Sequence, residues 1–235
     1  MKNLMPLAPE LTSAPDMVFR RLREAIATGD LGPGDQLPAE IDLGRMLGVS
    51  TVTVRVALGV MRDMGLLTTV RGRNGGNFIA SDVGERLADA ARRMKLTRTE
   101  LRDITDWRRA ISGEACFLTA ERGSDADFTR IRKAADEFDS LLSQFPDLRF
   151  ADARFHTLIA ETSRSARLAK EEIDIQIELT NFILATAKPV SAKGIPSYSH
   201  QRIITAIFNR NGEAARKAMI DHAEDTFKWS TAVIS

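Results

Sequence analysis

Only one short stretch of this chain reads as β-structure, and that limits what the whole can fold into. Leu67-Thr68-Thr69-Val70 and Asn77-Phe78-Ile79 are β-prone and flank the turn-rich run Gly72-Arg73-Asn74-Gly75-Gly76, the pattern of a hairpin. Everything else runs at helical period. Ahead of the hairpin, Ser13 caps a helix that carries Val18, Leu22 and Ile26 on one stripe, and Gly29 with Gly32-Pro33-Gly34-Asp35 stops it. Pro38-Ala39-Glu40 opens a second helix that ends at Gly48. Ser50 caps a third, with Val54, Leu58 and Met61 on its inner face and Gly65 at its close. From about Glu85 onward only helical periodicity remains, broken near Gly123-Ser124-Asp125, Pro146, residues 188–196 and Asn209–Gly212. The expected fold is therefore mostly α. An N-terminal winged helix-turn-helix (three helices plus a β-hairpin) precedes an all-α bundle of six or seven helices. The expected boundaries are residues 1–80 for the first domain, 81–98 for a linking segment and 99–235 for the bundle.

Composition excludes several alternatives. Apolar residues make up 43% and charged residues 28%, enough for a sizeable core and unlike a disordered or coiled-coil chain. A single cysteine, Cys116, on an apolar helical stretch, forms no internal disulfide and reads as a core residue. Prolines occupy the N-terminal region where a signal peptide needs an apolar run, and no stretch of about 18 apolar residues exists, so the expectation is a cytoplasmic protein without a membrane partner.

The net charge of +1 conceals an uneven distribution. Between Leu43 and Arg73 five arginines (45, 55, 62, 71 and 73) face one acid, Asp63, a local balance of +4 that the remainder offsets with −3. That concentration suits phosphate neutralisation, and a short helix after a tight turn suits a B-DNA major groove. Arg71, Arg73 and Asn74 bracket a glycine-rich tip that can lie against a DNA backbone or in a minor groove. A protein-interaction winged helix with a solvated arginine face fits the same pattern.

The chain has only three histidines, and each sits on an apolar helix face. Asp152 and His156 stand one turn apart beside Phe155 and Ile159; His200 shares a stripe with Ile203, Ile204 and Ile207; His222 shares one with Ala215, Met219 and Thr226. Buried imidazoles need partners, and three of them with a carboxylate can satisfy one another on a single divalent ion. Three separate core histidines, each bonded locally, account for the pattern equally well.

Two resemblances bear on these alternatives. Gly29-x-Leu31-x-Pro33-Gly34-x-x-Leu37-Pro38-x-Glu40, then Leu43, Leu47-Gly48-Val49-Ser50, Val54-Arg55, Ala57-Leu58, Met61, Gly65-Leu66 and the glycine-rich turn before Phe78-Ile79, closely resembles the DNA-binding domain of the GntR family of bacterial transcription regulators. The resemblance implies operator contact by Arg55 on the recognition helix, with Thr53, Arg71, Arg73 and Gly75 beside it. Ile41 and Thr51 stand where the family commonly carries arginine. Binding then leans on Arg55, Arg45 and the wing, or the operator departs from the family's usual half-site; the latter is the expectation here.

Downstream, Asp152-x-x-x-His156, His200, and His222 after Asn211-Gly212-Glu213 resemble the metal site of the FCD effector domain, which marks the FadR/VanR branch of that family. The resemblance implies a divalent ion (Zn, Ni, Mn or Fe) held by Asp152, His156, His200 and His222. Trp107-Arg108-Arg109-Ala110-Ile111 is similar to the domain's first-helix motif, which implies that Arg108 binds an effector carboxylate. Ser112 stands where the family has an acid four positions after that arginine. The expected function is a bacterial ligand-responsive regulator, a homodimeric repressor on a palindromic duplex operator, tuned by a small organic acid. It would be nucleoid-associated when DNA-bound. A metal-dependent hydrolase or lyase carrying a winged helix is the competing expectation, and a sensor of the metal itself a third. Glu178 and Asn181, on a long helix from about Ala169 to Ala187, are further candidates for pocket lining.

Overall fold

The computed structural model describes residues 13–72, 75–93, 97–186 and 197–234. Its elements are α1 (Ala14–Ala27), α2 (Glu40–Leu47), α3 (Thr51–Asp63), β1 (Leu67–Val70), β2 (Gly76–Ile79), α4 (Val83–Ala91), α5 (Arg98–Arg122), α6 (Asp125–Ser140), α7 (Asp147–Thr162), α8 (Ala166–Thr186), α9 (Ser197–Phe208) and α10 (Gly212–Ile234). This is the mostly-α class expected, with one hairpin. No single helix among the described residues is long and apolar enough to cross a membrane. Two compact units emerge: residues up to Arg23 with Gly34–Ala80, and Glu24–Pro33 with Ser81–Ser235.

In the first unit, α2 and α3 cross at 109°. Gly48 makes that turn possible, because its φ of +68° lies in the left-handed region that L side chains avoid, while the following Val49 N–H returns to Gly44 O at 2.9 Å. Ser50 then starts α3 by accepting the Thr53 N–H at 3.1 Å. Val54, Leu58 and Met61 are fully buried, and Leu43, Leu67 and Ile79 are buried with them. The hairpin pairs Leu67 with Ile79 through Val70 with Gly76. The free edge of β2 is also used: Leu37 N–H donates to Asn77 O at 2.8 Å and Ile79 N–H to Asp35 O at 2.9 Å. Residues 34–37, which look like pure turn in the sequence, thus cover the wing's outer edge.

In the second unit α5 is the central helix, packed against α7, α8, α9 and α10. Its start is fixed by a capping box between Thr97 and Glu100, and that of α6 by a second one between Ser124 and Asp127. One buried cluster joins Cys116, Ile131, Phe155, Ile159, Ile203, Ile207 and Met219; a second joins Leu101, Ile104, Leu179, Phe182 and Ile183. Cys116 is a core residue, and burial pushes its thiol pKa up, away from reactivity. The end of α1 and the turn after it also belong to this unit: Thr180 donates to Ala27 O at 3.2 Å, and a Cβ on Gly29 would fall 2.3 Å from Phe150 O.

Ser50→Ala should lower the unit's stability by about 1 kcal/mol, while Ser50→Asp, which accepts the same bond, should keep it; the urea-unfolding midpoint separates the two.

Candidate functional site

The first unit carries the expected DNA-facing residues. Arg55 projects from α3, its side chain 63% exposed, and its Nε donates to Glu40 Oε2 at 3.0 Å. An exposed pair of this kind is worth at most about 1 kcal/mol, so it orients the guanidinium without locking it. Arg45 is exposed beside Asp42 at 2.9 Å, and Arg71 is exposed where β1 runs into the turn of the wing. Thr51 opens α3 half-buried, and the Thr53 hydroxyl lies 2.8 Å from Ser50 Oγ, engaged in the cap. Gly75 closes the wing turn: its N–H reaches Gly72 O at 2.9 Å, and a Cβ there would lie 2.3 Å from Val70 O. Arg73 and Asn74 lie outside the described residues. Arg62, one of the five arginines behind the +4 balance, is committed internally, donating to Asn77 Oδ1 at 3.1 Å, where Thr69 also donates at 2.9 Å.

The second unit brings the four expected ligand residues together. Asp152 and His156 face inward from α7, His200 from α9 and His222 from α10. One ligand atom from each lies within 4.8 Å of the others. His156 Nε2 is 3.1 Å from His222 Nε2 and 3.6 Å from Asp152 Oδ1, and His200 Nε2 is 3.0 Å from that same oxygen. Ligands bound at about 2.1 Å to one ion stand roughly 3 Å apart, so these spacings suit a shared ion. All three imidazoles are buried, and His200 packs on Phe138 and Phe155 at centroid distances of 4.4 and 4.5 Å. His200 Nδ1 has no hydrogen-bond partner, and its Nε2 is turned to Asp152 Oδ1. Three buried imidazoles converging on one carboxylate form the kind of donor set that an ion satisfies.

The protonation states agree with that donor set. Burial, helped by the Arg108 charge, pulls the His156 pKa down to about 3, and the same two causes hold His222 well below the usual imidazole range. Burial opposes ionisation of Asp152, yet His156, His200 and Arg149 beside it hold its carboxyl well below the usual range. Neutral imidazoles with an ionised carboxylate are the forms that bind divalent metals.

Two buried arginines adjoin the cluster. Arg108 donates from one terminal nitrogen to His156 Nε2 at 2.8 Å and from the other to Thr226 Oγ1 at 3.3 Å, while its Nε has no partner. Burial lowers its pKa, against the pull of Asp152 and Glu172. Arg149, absent from the sequence expectations, binds Asp152 and Gln176 through its terminal nitrogens and Thr180 through Nε at 3.0 Å. Burial draws its pKa down to about 10. Glu172 from α8, fully buried, accepts from Ser112 at 2.6 Å and from Gln176 at 2.7 Å. Burial raises its carboxyl pKa. Ser112, where the family resemblance implies an acid, thus meets a carboxylate carried by another helix.

A cavity opens beside the cluster. Phe138, Phe145, Leu148, Ile183 and Trp229 form its apolar wall, and Arg149, Asp152, His222 and Thr226 its polar side. Glu178 and Asn181 do not line it, and Glu178 is exposed. The inward face of α8 is instead Glu172, Gln176, Leu179, Thr180 and Ile183. The signal for Arg149 was present, one turn before Asp152; Glu172 and Gln176 also stand one turn apart.

Comparison with known proteins agrees with both halves. Residues 15–75 match the bacterial regulatory proteins of the gntR family, and residues 103–225 match the FCD domain. RmpR of Mycobacterium gastri, an HTH-type transcriptional regulator by name, is 34% identical over 219 residues, covering 91% of this chain and 78% of RmpR. The Glc operon transcriptional activator of Escherichia coli (strain K12) is 28% identical over 229 residues, covering 91% of this chain and 87% of its own. The solved structure of E. coli McbR/YncC shares the fold, with a TM-score of 0.55 at 16% identity, over 96% of this chain and all of that one (100%). The chain belongs to the GntR family of DNA-binding transcription regulators and carries a C-terminal FCD effector domain.

Proposed function

We propose that Asp152, His156, His200 and His222 hold a divalent ion, and that a small organic acid bound beside it controls operator binding. The observation that carries this reading is the convergence of the buried His156, His200 and His222 on Asp152, one ligand atom from each lying within 4.8 Å of the others. Three nitrogens and one carboxylate oxygen suit Zn, Ni, Mn or Fe. When bound, the ion would supply an open coordination position for a carboxylate oxygen.

The chain's own residues supply the rest. His156 Nε2 offers a single lone pair, now accepting from Arg108. Serving as a ligand, it cannot also accept that bond, so the Arg108 guanidinium becomes available to grip an anion in a charge-assisted contact. Arg149 stays bonded to Asp152 and keeps the carboxylate aimed. The aromatic and aliphatic wall favours an acid with an apolar body, because extra hydroxyls there would lose their water without gaining partners.

This reading is favoured over a metal-dependent hydrolase or lyase. A general base must be free to take a proton, but Glu172 is committed to Ser112 and Gln176, and Asp152 to Arg149. A regulator works instead by biasing two DNA-binding arrangements, and an effector can shift them only by its difference in affinity for each. We further propose a homodimer on a palindromic operator, with repression relieved by the acid; a promoter fusion that rises when the acid is added reads the sign.

Two outcomes test the site. The purified protein should contain one equivalent of divalent metal per chain, and His156→Ala with His200→Ala should remove it; retention of one equivalent by that double variant means another ligand set. Arg108→Lys keeps the charge but loses the two-pronged grip, so the acid needed to release operator DNA in a gel shift should rise about ten-fold or more, with metal content unchanged. Chelation should abolish the response to the acid while free protein still shifts operator DNA.

A further inference from the structure

Among the described residues, eight large apolar side chains are exposed, and all eight lie between Met17 and Val70, in the DNA-binding unit. Three fall on α3 at successive turns: Val52 at 66%, Val56 at 50% and Val60 at 45% exposed. At 3.6 residues per turn, Val52, Val56 and Gly59 share the face opposite the buried stripe of Val54, Ala57, Leu58 and Met61. The core explains none of them. Gly59 has no internal reason to be glycine either: a Cβ there would meet only the end of Arg62 at 3.8 Å. A glycine inside a helix costs about 1 kcal/mol relative to alanine, so its absence of bulk points outward.

The occupant of this face follows from its chemistry. Arg55 is exposed one position before Val56, and α3 carries no acid until its last residue, Asp63. A face that is apolar at its centre and cationic at its flank, on the second helix of a helix-turn-helix, fits a DNA major groove. Valine has no donor or acceptor, so it cannot read a base by hydrogen bonding. Only one base edge in that groove offers an apolar group, the 5-methyl of thymine. We propose that Val52 and Val56 are specificity-determining residues that select thymine in each operator half-site through its methyl group. Gly59 leaves room for the helix to approach that closely.

The test uses the full chain and duplexes selected by it from a random pool. Each selected thymine is replaced in turn by deoxyuridine, which pairs identically and lacks only the methyl. Wild type should lose about four-fold in affinity for each methyl that Val52 or Val56 covers, the value of one buried methyl-sized group. Val52→Ala and Val56→Ala, at exposed positions, should each bind the thymine and deoxyuridine duplexes equally at the position concerned. The proposal is overturned if the selected half-site holds no thymine, if wild type ignores every deoxyuridine, or if the alanine variants weaken both duplexes alike. The last two results would give the valines to a protein partner or a second copy of the chain.

Discussion

Desolvated charge at the centre of the helical unit is the constraint on which the rest of that unit depends. Arg108, Arg149 and Glu172, with the three imidazoles, are all nearly out of reach of water. Each unmet polar group there costs on the order of 1–3 kcal/mol, more if charged, so the surrounding helices can adopt few arrangements. Arg149 ties α7 to α8 through Gln176 and Thr180; Glu172 ties α8 to α5 through Ser112; Arg108 ties α5 to α7 and α10 through His156 and Thr226. The apolar clusters around this network give cohesion, whereas the polar contacts fix which residues face which. The same partnering requirement that makes the core demanding makes it responsive, since a ligand that takes one bond obliges its neighbours to find others.

The DNA-binding unit solves a different problem with less buried charge. Its geometry comes from backbone devices: the left-handed Gly48, the Ser50 cap, and residues 34–37 laid along β2. Arg62 and Thr69 both donate to Asn77 and so stitch the third helix to the wing. Its outward side chains are therefore free to be chosen for recognition rather than for folding.

How far the sequence disclosed all this follows from how local each signal is. The helix-turn-helix was legible because caps, glycines and the apolar stripe of Val54, Leu58 and Met61 act within a few residues of one another. The pairing of residues 34–37 with β2 was not, since it depends on a strand some forty positions away. The histidines stood out by scarcity and by the one-turn spacing of Asp152 and His156. Arg149 and Glu172 did not, because an arginine or glutamate on a charged helix looks solvated until the helix it meets is known. Glu178 and Asn181 were read onto the pocket side of α8, whose inward face actually follows Glu172 and Gln176. Arg62 looks like one more DNA-facing charge in the sequence, whereas Asn77, fifteen residues on, claims it.

The bond between Ser112 and Glu172 has a consequence for how such chains are compared. A position-by-position alignment against the family motif scores Ser112 as the loss of an acid. In this chain a carboxylate nonetheless stands there: Glu172, from another helix, accepts the Ser112 hydroxyl. Substitution of Ser112 alone to an acid would therefore set two carboxyl groups against each other in a buried place. A single column of residues therefore misses a contact that only the two helices together define.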